Sequence, residues 1–300
     1  MHAADLDAVA LAVLAVLLAG PVPARLARAR WPARDPRTAL VAWQAVGLAG
    51  GLAAIGSLLS VGIAPGGRHL VHGLIALPGR GFGSTPLWRV VVFGAGVVLA
   101  GWLLAVSARS FASVLRERRR HRQIVDLVGR PEPRSGTVVL EHAVAVAYCV
   151  PGVRPRVVLS EAALELLADD ELTAVLAHER AHARGRHDLV VQPFIAWQST
   201  FPFLRPAFAA TRAVALLVEM LADDAASRRT EPATVAAALA RLGAGRLPVG
   251  ALGAAAEASA LATRVRRLLE PPAALPPAAV LLVHLAALAL VAVPTAVVCW

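Results

Sequence analysis

The chain has 300 residues, 57% of them hydrophobic, and a formal net charge of +10. A mean hydropathy of +0.63 excludes an ordinary soluble domain and points to membrane spans. All 30 basic residues are arginine. So basic a chain raises the question of nucleic acid, but the arginines flank apolar runs, where membrane topology accounts for them, and no direct nucleic-acid binding is expected.

Four stretches are apolar for about the 20 residues a helix needs to cross a bilayer. The first, Ala8 to Ala24, ends at Pro21 and Pro23. The leading MHAADLD has two aspartates and no basic residue, unlike the n-region of a signal peptide, so this stretch reads as a retained anchor. The second runs from Leu40 to Ala64 and the third from Val90 to Ser107, both uncharged. The fourth is Ala278 to Trp300. Its His284 reads as a neutral, hydrogen-bonded packing histidine rather than a functional intramembrane group.

The arginines set an orientation. Arg25, Arg28, Arg30, Arg34 and Arg37 follow the first stretch; Arg109, Arg116, Arg118, Arg119, Arg120 and Arg122 follow the third. The loop between the second and third has little more than Arg68, Arg80 and Arg89. Positive loops stay in the cytoplasm. The expectation is a multi-pass protein of the cell membrane with the bilayer as its partner, both termini outside, and the segment from Arg109 to Pro277 in the cytoplasm. Residues 1–125 then form a membrane domain with three transmembrane helices and a basic tail. Residues 126–272 form a cytoplasmic domain, and residues 273–300 a last transmembrane helix.

Within the cytoplasmic segment, Thr137 to Val150 alternates and is β-branched, which predicts a strand. PGVRP, Pro151 to Pro155, predicts a turn, and Arg156 to Ser160 a second short strand. Cys149 reads as a packing thiol, and with Cys299 the only other cysteine there is no disulfide framework. Ser160 caps a helix, SEAALELLA. Asp169, Asp170 and Glu171 open the next helix, where the dipole favours acids, and that helix stops near Gly185. A helix from about Pro206 to Arg229 and another from Pro232 to Arg241 follow. Gly243 to Ala258 reads as loop, and Ala262 to Glu270 as a short amphipathic helix before the hinge PPAALPP.

The helix opened by Asp169 contains LAHERAHARGRHDL. His178 and His182 stand at i and i+4, so both imidazoles lie on one helix face and can share one zinc ion. Glu179 projects toward a water at such a site and can take its proton. A catalytic zinc site needs a third protein ligand and leaves one position open. Glu219, set between Val218 and Met220 in an apolar run, is a charge that needs compensation and is the chosen third ligand. A helix glutamate paired with an arginine is its structural alternative, and His187 is the alternative ligand. Asp223, one turn beyond Glu219, can hydrogen-bond a ligating histidine. Asp224 reads as a solvated neighbour and Asp188 as a weaker histidine partner. No residue stands out to steady an oxyanion.

With these residues the chain resembles membrane zinc metallopeptidases of the gluzincin type, and in particular the bacterial antirepressor family that includes the transducers of β-lactam sensing. The resemblance runs from about Val138 to Arg229 and rests on AYCVPGVRPRVVLS, LAHERAHARGRHDL and VEMLADD in that order. It implies His178, His182 and Glu219 as Zn2+ ligands, Glu179 as catalytic base and Asp223 behind a ligand. It also implies a protein substrate, a small DNA-binding repressor. The transducers carry an extracellular penicillin-binding sensor after their last span. This sequence ends at Trp300, so an antibiotic-sensing role is not expected. The resulting fold class is a mainly α membrane protein, with about four transmembrane helices and a cytoplasmic α+β zincin-like metalloprotease domain. A membrane quality-control protease and a non-catalytic scaffold are the competing functions.

Overall fold

The computed structural model describes residues 3–63, 75, 85–132, 136–150, 155–244 and 251–299. Four of its helices are long and apolar enough to cross a membrane: Asp5–Arg28, Pro36–Gly62, Leu87–Val128 and Pro277–Val297. The first of these bends. Helix α1 (Ala3–Ala19) stops at Gly20, and Pro21 restarts the chain as α2 (Pro21–Arg28), since proline has no N–H to continue the ladder but suits a first turn. Helix α3 (Pro36–Ile63) contains the second of these candidate spans. The predicted end of that span at Ala64 lies outside the described residues, as do Arg68 and Arg80.

The third span is longer than its apolar run. Helix α4 (Leu87–Val128) continues unbroken for 42 residues, because the arginines and glutamate after Ser107 are good helix formers. The predicted domain boundary at residue 125 therefore falls inside a helix. The spans pack closely: a Cβ on Gly62 would sit 2.4 Å from Phe93 Cβ, so only glycine lets α3 and α4 meet there. At the same end Arg89 donates to Val61 O at 2.9 Å and to Asp5 Oδ1 at 3.0 Å, tying three helix ends together.

The predicted strand over Thr137 to Val150 is two strands. The sheet comprises β1 (Arg130–Glu132), β2 (Thr137–Leu140), β3 (Ala147–Val150) and β4 (Arg156–Ser160), in the order β1-β2-β4-β3. Strand β2 runs parallel to β4 and β3 runs antiparallel to it, so the chain must leave β2 and cross to the far side of β4. His142 makes that break: its Nδ1 accepts from Val144 N at 3.1 Å. Ser160 then fixes both the return and the next helix, its Oγ accepting from Val146 N at 2.9 Å and from Ala163 N at 3.1 Å. Of the PGVRP turn, residues 151–154 lie outside the described set.

Helix α5 (Glu161–Leu166) leads to α6 (Asp169–Gly185), α7 (His187–Thr200), α8 (Arg205–Ala226), α9 (Pro232–Ala244), α10 (Ala251–Leu269) and α11 (Pro277–Cys299). The segment expected as loop up to Ala258 is helical from Ala251, since alanine is the strongest helix former; α10 is a 19-residue helix rather than a short one. Helix α11 contains the fourth candidate span. Its His284 is hydrogen-bonded, to Val280 O at 2.8 Å, but is exposed on the helix rather than packed in protein.

Two cores hold the site. Trp43 of α3 meets Phe194 of α7 edge-on, ring centroids 6.1 Å apart, beside Val214, Leu217 and Met220 of α8. The second span thus carries the helix that bears Glu219. On the other side, Val175 and Leu176 of α6 pack with Ala147, Val157 and Leu159 of the sheet.

Candidate metal centre

Helix α6 starts with its own cap, Glu171 Oε2 accepting from Ala168 N at 3.0 Å. Ala174, Val175, Leu176, Ala177 and Ala181 are buried, so the helix is held on several sides. His178 is buried and His182 and Glu179 are half-buried. As the i, i+4 spacing requires, the two imidazoles face each other, with Nε2 atoms 3.1 Å apart. Helix α8 crosses α6 and brings Glu219 to the same point. Its Oε2 lies 3.5 Å from His178 Nε2 and its Oε1 3.4 Å from His182 Nε2.

These three residues could hold a metal ion. A tetrahedral ion with donors at about 2.0–2.1 Å keeps any two of them about 3.3–3.4 Å apart. The three observed separations, 3.1, 3.4 and 3.5 Å, therefore fit one face of such a tetrahedron. Two imidazoles and a carboxylate are also a donor set that suits zinc.

Both histidines are held from behind. His178 Nδ1 is 3.0 Å from Asp223 Oδ1, and Asp223 is 1% exposed. His182 Nδ1 is 3.1 Å from Nδ1 of His187, with ring planes at 82°. His187 reaches back because the chain reverses between α6 and α7 at Arg186, which adopts the left-handed region at φ 45°. Gly185 makes room: a Cβ there would lie 2.2 Å from His187 Nε2. His187 lies against His182 and outside the group that could hold an ion, and the structural turn expected there is the start of α7. Asp188 pairs with Arg118 of α4 and not with a histidine.

One residue of the cluster escaped the sequence reading. Arg264 of α10 donates from Nε to Asp223 Oδ2 at 2.8 Å and from Nη2 to Asp223 Oδ1 at 2.7 Å, while its Nη1 lies 2.9 Å from Glu219 Oε2. The structural alternative for Glu219 thus holds together with its place in the cluster: it is both paired with an arginine and set against the histidines. One turn on, Arg267 grips Asp224 at 2.6 and 3.1 Å, so Asp224 is an ion-pair partner and not a solvated neighbour. The signal was present in the sequence: Asp223-Asp224 on one helix answers Arg264 and Arg267, spaced i, i+3, on another.

The charges follow from this packing. Burial pushes the His178 imidazolium down, but Asp223 and Glu219 override it and hold its pKa up at about 9. Burial takes His182 down to about 4; the Glu219 carboxylate opposes the fall, and His178, His187 and Arg264 add to it. For Glu219 burial acts upward, yet His178 and Arg264 hold it down at about 2. Near neutral pH the metal-free cluster therefore carries one proton that an ion must displace, on His178. We expect uptake of Zn2+ near neutral pH to release about one proton, and the logarithm of the affinity to rise by about one per pH unit from about 4 up to about 9, then level. Chelator competition at several pH values reads this directly, and an affinity flat below pH 9 refutes a protonated His178.

Strand β3 lies against α6 and forms an edge of the sheet. Burial pushes the thiol of its Cys149 up to about 11, and the Glu179 carboxylate adds to the rise. Cys149 is thus electrostatically coupled to the HExxH glutamate. At neutral pH it should alkylate about 100-fold more slowly than a free thiol, measured in a Cys299→Ala background. A rate like that of a free thiol would contradict this packing.

Residues 115–242 match the family model described as Peptidase family M48. No curated protein and no solved structure matches the chain. The matched segment begins within α4 and runs through the sheet, both histidines and Glu219 into α9. It supports a zincin-type metallopeptidase domain, a hydrolase of peptide bonds.

Proposed function

We propose that the chain is a membrane-anchored zinc endopeptidase that cleaves a protein substrate at the cytoplasmic face of the cell membrane, in signalling. The observation that carries the reading is the triangle of His178, His182 and Glu219 donors at tetrahedral spacing, with Glu179 adjoining it on the same helix. These three would hold the ion, which supplies Lewis acidity to the scissile carbonyl and to a nucleophilic water. Glu179 takes the proton of the attacking water and delivers it to the leaving amine. Asp223 orients His178, and Arg264 fixes both Asp223 and Glu219. Strand β3, the end strand of the sheet, offers backbone groups to an extended substrate segment, and it packs against the helix that carries Glu179.

The four apolar helices suggest a multi-pass membrane protein. The arginines after the first and third spans support a cytoplasmic domain with both termini outside. The resemblance to antirepressor peptidases supports a small DNA-binding repressor as substrate. The test is a proteome comparison in the host between the wild type and Glu179→Gln. A repressor fragment present only with the wild type is the expected result. Fragments of assorted membrane proteins would replace signalling with quality control, and identical proteomes across stresses would refute the peptidase reading.

A further inference from the structure

Next to the metal cluster, and reaching His187, is a concavity of about 840 Å³. Its walls are the chain between the first two spans and the outer faces of α6 and α8. Five arginines line it: Arg34, Arg37, Arg184, Arg228 and Arg229. Two aspartates join them, and both are engaged. Asp35 accepts from Thr38 N at 3.1 Å and Thr38 Oγ1 at 2.7 Å, and Asp224 is held by Arg267. Arg34 donates to Ala273 O and Ala274 O at 2.7 and 3.1 Å. Among the described residues, Arg37, Arg184, Arg228 and Arg229 have no ion-pair partner. Asp224 is neutralised by Arg267, whereas the hydrogen bonds to Asp35 leave its charge in place; five arginines against that one carboxylate still leave an excess of positive charge that focuses a positive potential into the hollow.

The location defines what would answer that charge. Pro36 begins the second span, so Arg34 and Arg37 stand at the end of a membrane-crossing helix. The loop between spans one and two and the domain after span three lie on the same side of any bilayer the helices cross. The cavity must then open at the level of the lipid headgroups. Its volume is that of a small-molecule site, and guanidinium forks match phosphate oxygens bidentately.

We propose that this cavity binds the phosphate of an anionic phospholipid of the adjoining leaflet. The inference rests on the reading of the apolar helices as membrane spans and is independent of the peptidase reading. A basic pocket at a span end is a setting in which anionic headgroups are recognised.

The test uses the full chain purified in detergent and observed by native mass spectrometry. Three probes are added separately: phosphatidylglycerol, phosphatidylcholine and inorganic phosphate. The wild type is compared with Arg37→Gln/Arg228→Gln/Arg229→Gln, and with Arg119→Gln/Arg120→Gln as a control for exposed arginines elsewhere. We expect the wild type and the control to retain phosphatidylglycerol over phosphatidylcholine, and the triple variant to retain it about 10-fold less or weaker. If the triple variant does not fold, single Arg37→Gln and Arg228→Gln variants should each lower retention. Equal retention by wild type and variants, or no preference for the anionic lipid, overturns the proposal. Retention of inorganic phosphate without phosphatidylglycerol overturns the lipid as the source of the phosphate. Neither the metal nor peptide hydrolysis enters the readout, so failure of the peptidase reading leaves this result unmoved.

Discussion

Glu179→Gln should lower peptide hydrolysis by about 10²–10⁴-fold while the protein keeps its zinc. The magnitude is that of removing a positioned general base. Retention of the metal follows from geometry. The donors at tetrahedral spacing are His178, His182 and Glu219, and Glu179 is not one of them. Gln preserves length and shape but has no site for the proton. Zinc content and turnover on a protein substrate, measured on one preparation, separate this from a structural defect. A variant that loses its zinc would make Glu179 a support of the site, and a variant that retains full turnover would move the base to another residue. Cys149 gives an independent check. The Glu179 charge contributes to the raised thiol pKa, so Glu179→Gln should lower that pKa and speed alkylation of Cys149.

The parts of the site legible in the sequence are those that one helix can encode. His178, Glu179 and His182 fall on one face because 3.6 residues make a turn. Glu219 stood out as a charge inside an apolar run, and Asp223 as its neighbour one turn away. The four apolar helices were equally legible, since each requires only composition and length. What escaped needed distant partners. Arg264 is 41 residues from Asp223, and no local period connects them. His187 is near in sequence, but its contact with His182 depends on a left-handed Arg186 and on the absence of a Cβ at Gly185. The sheet escaped for a similar reason. Alternation in Thr137 to Val150 reveals strand character but not that the chain crosses β4 midway, a break made by the His142 side chain against its own backbone.

Arg264→Gln should destabilise the metal-free protein by about 3 kcal/mol, the lower end of what breaking a buried ion pair costs. The Arg264 side chain is 12% exposed and that of Asp223 only 1%, so water can do little to replace the lost guanidinium. The lower end applies because His178 also faces both carboxylates and offsets part of their charge. Spread over an unfolding unit of 300 residues, that corresponds to a fall in Tm of roughly 5 °C. A divalent ion between Glu219 and the histidines displaces the His178 proton and so adds one net positive charge at the same place. The defect should therefore shrink when the protein is loaded with zinc. Arg264→Lys should fall between, because an ammonium keeps the charge but cannot span Asp223 and Glu219 with a planar fork. Thermal unfolding of the three proteins with chelator and with zinc tests both steps. Equal melting of wild type and Arg264→Gln in chelator would show that the two carboxylates are compensated without Arg264. A defect that stays the same size with zinc would place the ion away from Glu219. The proposed ligand set predicts neither outcome, because in it the guanidinium holds both acids while the ion meets Glu219 directly and Asp223 only through His178.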